Sequence, residues 1–260
     1  MNKKIFKYFL NLFPRPILIK FSYAIAPIIS IYYKGNKYTD PIDGKSYRKF
    51  LPYGYGNVRN NVLAPGTLSL ERHRLMWLYL QRDTNFFSSK LKVLSIAPEQ
   101  CFLKRFKSLT NIDYITADLY SPIVDVKADI LNLPFKDNEF DVIFCNHVLE
   151  HIEDDAKAIS ELYRTMKPGG WGIFQVPMRS NEKYTYEDFT ITKKEDRKLH
   201  FGQYDHVRWY GLDYFKRLEK GGFQVEQVKY YEILSLEEIN KYALSRNEIL
   251  PVVRKPKLVL

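Results

Sequence analysis

The chain has 260 residues, 45% of them apolar, enough for one α/β domain with a packed core plus an accessory segment. A charged fraction of 27% excludes a membrane-embedded composition, and two cysteines, Cys101 and Cys145, are too few for a disulfide framework or a thiolate metal cluster. The net charge of +10 sits at one end: residues 1–60 hold eleven Lys and Arg against Asp40 and Asp43, so the rest of the chain is close to neutral.

Residues 1–90 read as a basic N-terminal extension, helical and irregular. The stretch 17–33 (ILIKFSYAIAPIISIYY) is apolar but contains Lys20 and Pro27. It falls short of the roughly 20 clean apolar residues of a span, and no small-residue cleavage site marks a signal peptide. A basic, aromatic, partly amphipathic segment suits an anionic membrane surface, which makes residues 1–35 the candidate for peripheral membrane contact. Packing against the rest of the chain, with the lysines in water, is the favoured alternative. The expected location is cytoplasmic, with any membrane contact at the inner surface. A turn-rich section runs from Gly35 to Gly66, and a helical pattern follows at about 68–82.

From residue 91 strands and helices alternate. Strands are expected at 91–97, 112–118, 124–130 and 140–146, the last a near-continuous apolar run that reads as buried on both faces. A helix is expected from Asp154, with Ile159, Leu162, Tyr163 and Met166 at helical spacing, stopped by Lys167-Pro168-Gly169-Gly170. A fifth strand is placed at 171–178 and a loop-rich insertion at 179–207. A helix at 211–220 and strands at 223–231 and 249–255 complete the pattern. Such alternation predicts a doubly wound, mostly parallel sheet with helices on both faces over residues 91–260.

Ligands of such sheets bind beyond the carboxyl ends of the strands, where the winding reverses. The residues at those ends are Ser95, Ala97 and Glu99 after the first strand, Asp118 after the second, Asp129 and Ile130 after the third, and Asn146 and His147 after the fourth. Asp118, ending the second strand, is placed to accept from two ribose hydroxyls. Asp129 is a candidate for an adenine amino group, and equally for capping the turn that follows it.

The stretch FDVIFCNHVLEHIEDDAKAISELYRTMKPGGWGIFQVP resembles the fourth strand, following helix and Lys-Pro-Gly-Gly turn of the class I S-adenosylmethionine-dependent methyltransferases. The resemblance covers Leu94–Pro177 closely and 208–255 loosely. It implies a seven-stranded Rossmann-like domain, S-adenosylmethionine as cofactor, and methyl transfer to oxygen or nitrogen of a small-molecule, sugar or lipid-type acceptor. The chain departs from the family in its first loop, where Ser95, Ala97 and Glu99 replace the usual acid and Gly-x-Gly pattern. The cofactor carries no phosphate, so the demand for close backbone approach is milder than in a dinucleotide site. Glu99 can supply the missing acid, meeting the cofactor's amino group, or can serve the helix N-terminus.

Related proteins often begin with a zinc ribbon followed by Ser-Leu-Glu-Arg-His-Arg. Here Ser69-Leu70-Glu71-Arg72-His73-Arg74 is present, but Asp40, Asp43, Ala64 and Thr67 stand at the ligand positions. Such a set makes no structural zinc site and implies a metal-free scaffold.

Methyl transfer from a sulfonium needs orientation above all, and a base only where the nucleophile is protonated. His147 and His206 are the candidate catalytic residues, with Tyr204 and Arg208 as substrate-binding residues in the loop after strand five; ordinary loop hydrogen bonding is the competing reading. His147 and His151, four apart, have the spacing of a zinc pair if helical, but no third ligand is evident, and no metal is expected. Tyr184, Tyr186, Phe189, Phe201 and Tyr204 either line a cleft or pack the insertion. Two other functions compete. One is a non-catalytic methyltransferase-like protein recruited to membrane or nucleic acid by its basic segment. The near-neutral charge of 91–260 argues against nucleic acid. The other is a nicotinamide oxidoreductase, disfavoured by the missing glycine fingerprint.

Overall fold

A computed structural model describes residues 15–54 and 58–257. The chain forms two compact units. Of the described residues, those up to Leu78 form one unit with Leu234–Ser245, and Tyr79–Ile233 form the other with those from Arg246 on. The expected boundary at 90/91 therefore moves into a helix, and the segment 234–245 returns to the first unit.

In the first unit, helix α1 (Arg15–Tyr32) holds Pro27 in its interior. Ile17, Phe21, Ile28 and Ile31 are exposed at spacings of four, seven and three, a helical stripe. Among the described residues no helix is long and apolar enough to cross a membrane. Two small antiparallel hairpins follow, β1 (Lys34–Thr39) with β2 (Ser46–Tyr47) and β3 (Leu51–Tyr53) with β4 (Arg59–Leu63). Helix α2 (Glu71–Arg82) comes next.

The four positions read as former ribbon ligands lie in matching turns. Gly44 N–H donates to the Asp40 carbonyl and Leu68 N–H to the Ala64 carbonyl, with Gly44 and Leu68 both left-handed. Hydrogen bonds hold these turns together. The fully buried Asp40 carboxylate accepts from Thr67 Oγ1, from Ser69 Oγ at 3.2 Å and from Ile42 N–H at 3.0 Å. Asp43 accepts from the Tyr47 hydroxyl. Beside them the buried Arg74 guanidinium donates to the carbonyls of Val62, Ser69, Tyr242 and Ala243, which ties the returning segment into this unit.

The second unit is built on β5 (Leu91–Ile96), β6 (Ile112–Asp118), β7 (Val126–Lys127), β8 (Phe140–Cys145) and β9 (Met166–Ile173), with β10 (Tyr186–Glu187) and β11 (Arg208–Trp209) paired in the insertion. β12 (Gln224–Val228) and β13 (Leu250–Arg254) close the chain. Seven strands form one sheet in the order β12-β13-β9-β8-β5-β6-β7, parallel except for β13. β5 and β8 are central, and the last four residues of each are buried, as strands covered on both faces require.

Helix α3 (Gln100–Lys107) buries Cys101, Phe102 and Phe106. Helix α4 (Asp155–Thr165) is capped by Asp154, which accepts from Lys157 N–H, and it buries Ala158, Ile159 and Leu162. Helices α5 (Lys194–Phe201), α6 (Tyr214–Lys220) and α7 (Tyr230–Ile233) belong to this unit, and α8 (Leu236–Lys241) to the first. Both cysteines are buried, and no disulfide joins them.

The Lys-Pro-Gly-Gly segment departs from the expectation. It lies inside β9, because the chain already pairs with its neighbours: Met166 stands opposite Phe140, Gly169 N–H bonds the Lys255 carbonyl, and Lys255 N–H bonds the Gly170 carbonyl. The left-handed Gly169 makes an irregularity in the strand where a helix stop was expected.

Burial raises the Asp40 pKa, against the opposing hydrogen bond from Thr67 and the charge of Arg74. The folded state thus holds this proton more tightly than the unfolded chain, so the contribution of Asp40 to stability falls as pH rises from the ordinary Asp range. Asp40→Ala is expected to cost about 2–4 kcal/mol by leaving the Thr67, Ser69 and Ile42 donors without their acceptor and Arg74 without a neighbouring negative charge. Asp40→Asn should cost much less, and should gain on the wild type as pH rises. Urea unfolding of the three proteins across pH 4–8 checks both; an Asn variant as damaged as the Ala variant would refute the argument.

Candidate functional site

The sheet register sets the carboxyl ends of the central strands side by side: Ile96 stands opposite both Cys145 and Ala117, and Asp118 opposite Lys127. The winding reverses between β5 and β8, so the chain leaves these adjacent strands in opposite directions and opens a crevice. Both strands end in a left-handed, non-glycine residue, Ala97 at φ 47° and His147 at φ 55°. This conformation costs an L-residue roughly 1–2 kcal/mol, and such strain collects at functional sites. Ala97 therefore adopts the backbone that a glycine favours, without being one. Its N–H bonds the Ala117 carbonyl at 2.8 Å, and the His147 N–H bonds the Gln175 carbonyl at 2.7 Å.

Glu99 and Asn146 meet across the crevice, Asn146 Nδ2 donating to Glu99 Oε2 at 3.2 Å. Asn146 Oδ1 accepts from Gln175 N–H, which locks the amide orientation. Glu99 stands at the N-cap position of α3, but its side chain makes no capping hydrogen bond. At the end of β6, Asp118 Oδ1 accepts from the backbone N–H groups of Tyr120 and Ser121, and Oδ2 accepts no hydrogen bond among the described residues. Asp129 is exposed and accepts from Leu131 N–H. Two expected cofactor residues turn away. The Ser95 hydroxyl is buried and bonded to Tyr114, and the Ile130 side chain packs into the main core. Strand alternation accounts for Ser95, and the shortness of β7 for Ile130.

Past β8 the chain makes a single 3-10 turn, Leu149–His151. His147 precedes it in a left-handed conformation, so the helical-face argument for His147 and His151 does not apply. Glu150 joins them instead. Its side chain is 1% exposed; Oε1 lies 3.3 Å from His147 Nδ1 and 4.0 Å from His151 Nε2. Burial would raise the Glu150 pKa, but the His147 hydrogen bond and the charges of His147 and His151 outweigh it and hold the carboxyl below its usual range.

The insertion closes over this turn. Val207 N–H bonds the Glu150 carbonyl, and the His151 and His206 rings meet edge to face at 4.8 Å. His206 is 2% exposed, and burial pulls its pKa below the ordinary histidine value, so it is neutral near pH 7. Both its nitrogens are engaged, Nδ1 with the Phe201 carbonyl and Nε2 with the Gln203 amide. In this arrangement neither nitrogen is open to take a substrate proton.

Arg208 is also buried, at 1% exposed. Its guanidinium donates to Glu187 Oε2 at 2.8 Å and to the carbonyls of Leu149, Ile152 and Glu153, and it pairs with Asp155. Arg217 bridges the same two carboxylates. The two terminal nitrogens of Arg208 thus hold to the segment after β8 and Nε to Glu187 in the insertion, so that all three nitrogens are engaged within the protein. Tyr204 is half-exposed, and so are Tyr186 and Phe189, with Tyr184 more so; Phe201 is fully buried. The sequence reading missed Glu150, Asp155, Glu187 and Gln175. The only sequence-level signal among them was an acid inside the otherwise apolar Val148-Leu149-Glu150 run.

Residues 87–174 match the family model described as "Methyltransferase domain". The chain is 46% identical over 44 residues to a 2-phytyl-1,4-naphtoquinone methyltransferase of Nostoc punctiforme, covering 17% of this chain and 19% of that protein. Over 74 residues it is 38% identical to a ubiquinone/menaquinone biosynthesis C-methyltransferase of Idiomarina loihiensis, 26% of this chain and 30% of that one. Over 127 residues it is 26% identical to a sterol 4-C-methyltransferase of Caenorhabditis elegans, 49% of this chain and 33% of that one. The chain thus spans a third or less of these relatives. Among solved structures, a S-adenosylmethionine dependent methyltransferase from Mesorhizobium loti aligns over 68% of this chain and 95% of that one, at 14% identity and a TM-score of 0.48.

The Arg208 network makes a prediction that separates a structural from a substrate-binding role. Arg208→Lys cannot serve three carbonyls and two carboxylates together. It should lower the unfolding free energy by about 3 kcal/mol or more, read by denaturant titration without any ligand. A variant as stable as the wild type would return Arg208 to the substrate-binding candidates.

Proposed function

We propose that this chain, whose residues 87–174 match a methyltransferase-domain family model, is a class I methyltransferase that binds S-adenosylmethionine at the carboxyl edge of its seven-stranded sheet and transfers the methyl group to an acceptor. The observation that carries this reading is the pairing of Ala97, in the backbone conformation of a loop glycine, with Asp118, whose second carboxylate oxygen accepts no hydrogen bond among the described residues. Asp118 would accept from the ribose hydroxyls. Glu99, held by Asn146, would meet the cofactor's amino group, and Asp129 would take the adenine end. His147, two residues past the end of β8, would orient the acceptor. The chain's residues supply orientation and the exclusion of water, which is the greater part of catalysis when the leaving group is a neutral thioether.

The acceptor we favour is a lipid-type molecule, met at an anionic membrane surface. The exposed stripe of α1 supports this, together with Lys34, Lys37, Lys45 and Lys49, all exposed in the same unit. The relatives named above act on quinones and a sterol by their printed names, which points the same way.

Calorimetric titration with S-adenosylmethionine should show saturable binding by the wild type. Binding should weaken by at least about tenfold in Asp118→Ala, through loss of a charged acceptor, and in Ala97→Val, whose branched side chain is incompatible with φ 47°. Absence of binding by the folded wild type would refute the cofactor site. Separately, the protein should co-sediment with vesicles containing anionic phospholipid, less with neutral vesicles, and several-fold less when Phe21 and Ile28 are both changed to Ser. Equal sedimentation of wild type and double variant would remove the membrane reading while leaving the cofactor site untouched.

A further inference from the structure

Three of the five histidines of the chain, His147, His151 and His206, surround the Glu150 carboxylate. Glu150, His151 and His206 each offer a ligand atom, and these atoms all lie within 4.8 Å of one another. The Glu150 side chain is 1% exposed, and its Oε2 has no hydrogen-bond partner among the described residues. A buried carboxylate oxygen in that state costs free energy unless something positive meets it.

The two imidazoles are oriented alike. His151 Nδ1 lies 3.1 Å from the Asp205 carbonyl oxygen, and His206 Nδ1 lies 3.1 Å from the Phe201 carbonyl oxygen. A carbonyl accepts only, so each Nδ1 carries the proton and each Nε2 keeps its lone pair. Metal-binding histidines are fixed in the same manner, the far nitrogen donating to a carbonyl or carboxylate while the near one ligates. His151 Nε2 is 4.0 Å from Glu150 Oε1. His206 Nε2 accepts from Gln203 Nε2 at 2.8 Å, an amide that a cation can displace.

We propose that Glu150 Oε, His151 Nε2 and His206 Nε2 form a binding site for one divalent ion of the zinc class. Two imidazoles and one carboxylate are a donor set that zinc accepts, with a fourth position left for water or an acceptor oxygen. Donors at 2.0–2.2 Å from one ion stand roughly 3.3 Å apart, so the site closes by side-chain shifts of about 1.5 Å. His147 Nδ1, 3.3 Å from Glu150 Oε1, steadies the carboxylate and leaves Oε2 without a partner among the described residues. The ion would clamp the Leu149–His151 turn to the loop that carries His206, and so to the insertion. The site is independent of whether the crevice binds S-adenosylmethionine, and its test uses neither cofactor nor acceptor.

The full-length protein, stripped with chelator and dialysed, is titrated with Zn2+ against a chelating dye and with Co2+ by visible absorption. One ion per chain is expected, with a thermal midpoint that rises with free Zn2+. His151→Gln and Glu150→Gln should each weaken binding by at least about tenfold, since even residues that only support a ligand contribute that much. His206→Gln should do the same where circular dichroism shows it folded. His200→Gln, which alters a histidine bonded to the Tyr186 hydroxyl, should bind as the wild type does. Failure of the folded wild type to bind either ion would overturn the proposal. So would unchanged affinity in His151→Gln and Glu150→Gln, or an equal loss in His200→Gln.

Discussion

Two neighbouring parallel strands at the centre of the sheet, β5 and β8, must send the chain away on opposite sides. The polypeptide meets this demand by turning sharply at once after each strand, through Ala97 and His147 in the left-handed region. Both turns are closed by a hydrogen bond to an adjacent strand end, Ala97 to the Ala117 carbonyl and His147 to the Gln175 carbonyl. The strain of roughly 1–2 kcal/mol at each residue is offset by the close-packed strands behind it, whose last four residues are buried on both β5 and β8. Everything at the candidate site descends from these turns. The first opens the space beside Asp118 and Glu99. The second aims His147 at Glu150 and starts the turn on which His151 stands.

The insertion depends on a second constraint, a buried guanidinium. Arg208 is withdrawn from water, a desolvation that no single ion pair offsets. It is tolerated because Asp155, Glu187 and three carbonyls saturate the guanidinium, and Arg217 shares the carboxylates so that neither is left with excess charge. The geometry suits arginine alone, since a planar fork reaches partners that an ammonium cannot. The consequence is a loop fixed at the turn after β8. His206, buried with both nitrogens engaged, is part of that fixed structure rather than of a mobile lid.

The strands were legible because their signal is local. Leu91–Ile96, Ile112–Asp118 and Phe140–Cys145 are short apolar runs between turn residues, and the structure reproduces their limits to within a residue. The cofactor edge followed from topology, since residues at strand ends come together in any sheet of this winding. That the Ser95 and Ile130 side chains are buried depends on register, which the sequence does not display. Lys167-Pro168-Gly169-Gly170 has the composition of a helix stop, but its partners, Phe140 and Lys255, are distant in the chain, and pairing with them makes it strand. Asp155 and Glu187 read as solvated acids until Arg208, distant in the chain, is brought to both of them. Glu150 stands out only as an acid in an apolar run, and its link to His206 appears only in the fold.

The two units treat polar clusters in opposite ways. In the first, the positions expected of ribbon ligands hold Asp40, Asp43, Ala64 and Thr67. Asp40 accepts from Thr67, Ser69 and Ile42, and Asp43 from Tyr47 and Lys45, so hydrogen bonds perform the cross-linking that an ion would. Ala64 has no donor atom, and the Thr67 hydroxyl is already bonded. In the second unit the chain keeps a carboxylate oxygen with no partner among the described residues and two imidazoles whose outer nitrogens are fixed by carbonyls. A satisfied network and an unsatisfied donor set can share a composition of acids and hydroxyl or imidazole groups. They differ in where the hydrogen-bond capacity goes, and that difference is what assigns a structural role to one cluster and a ligand to the other.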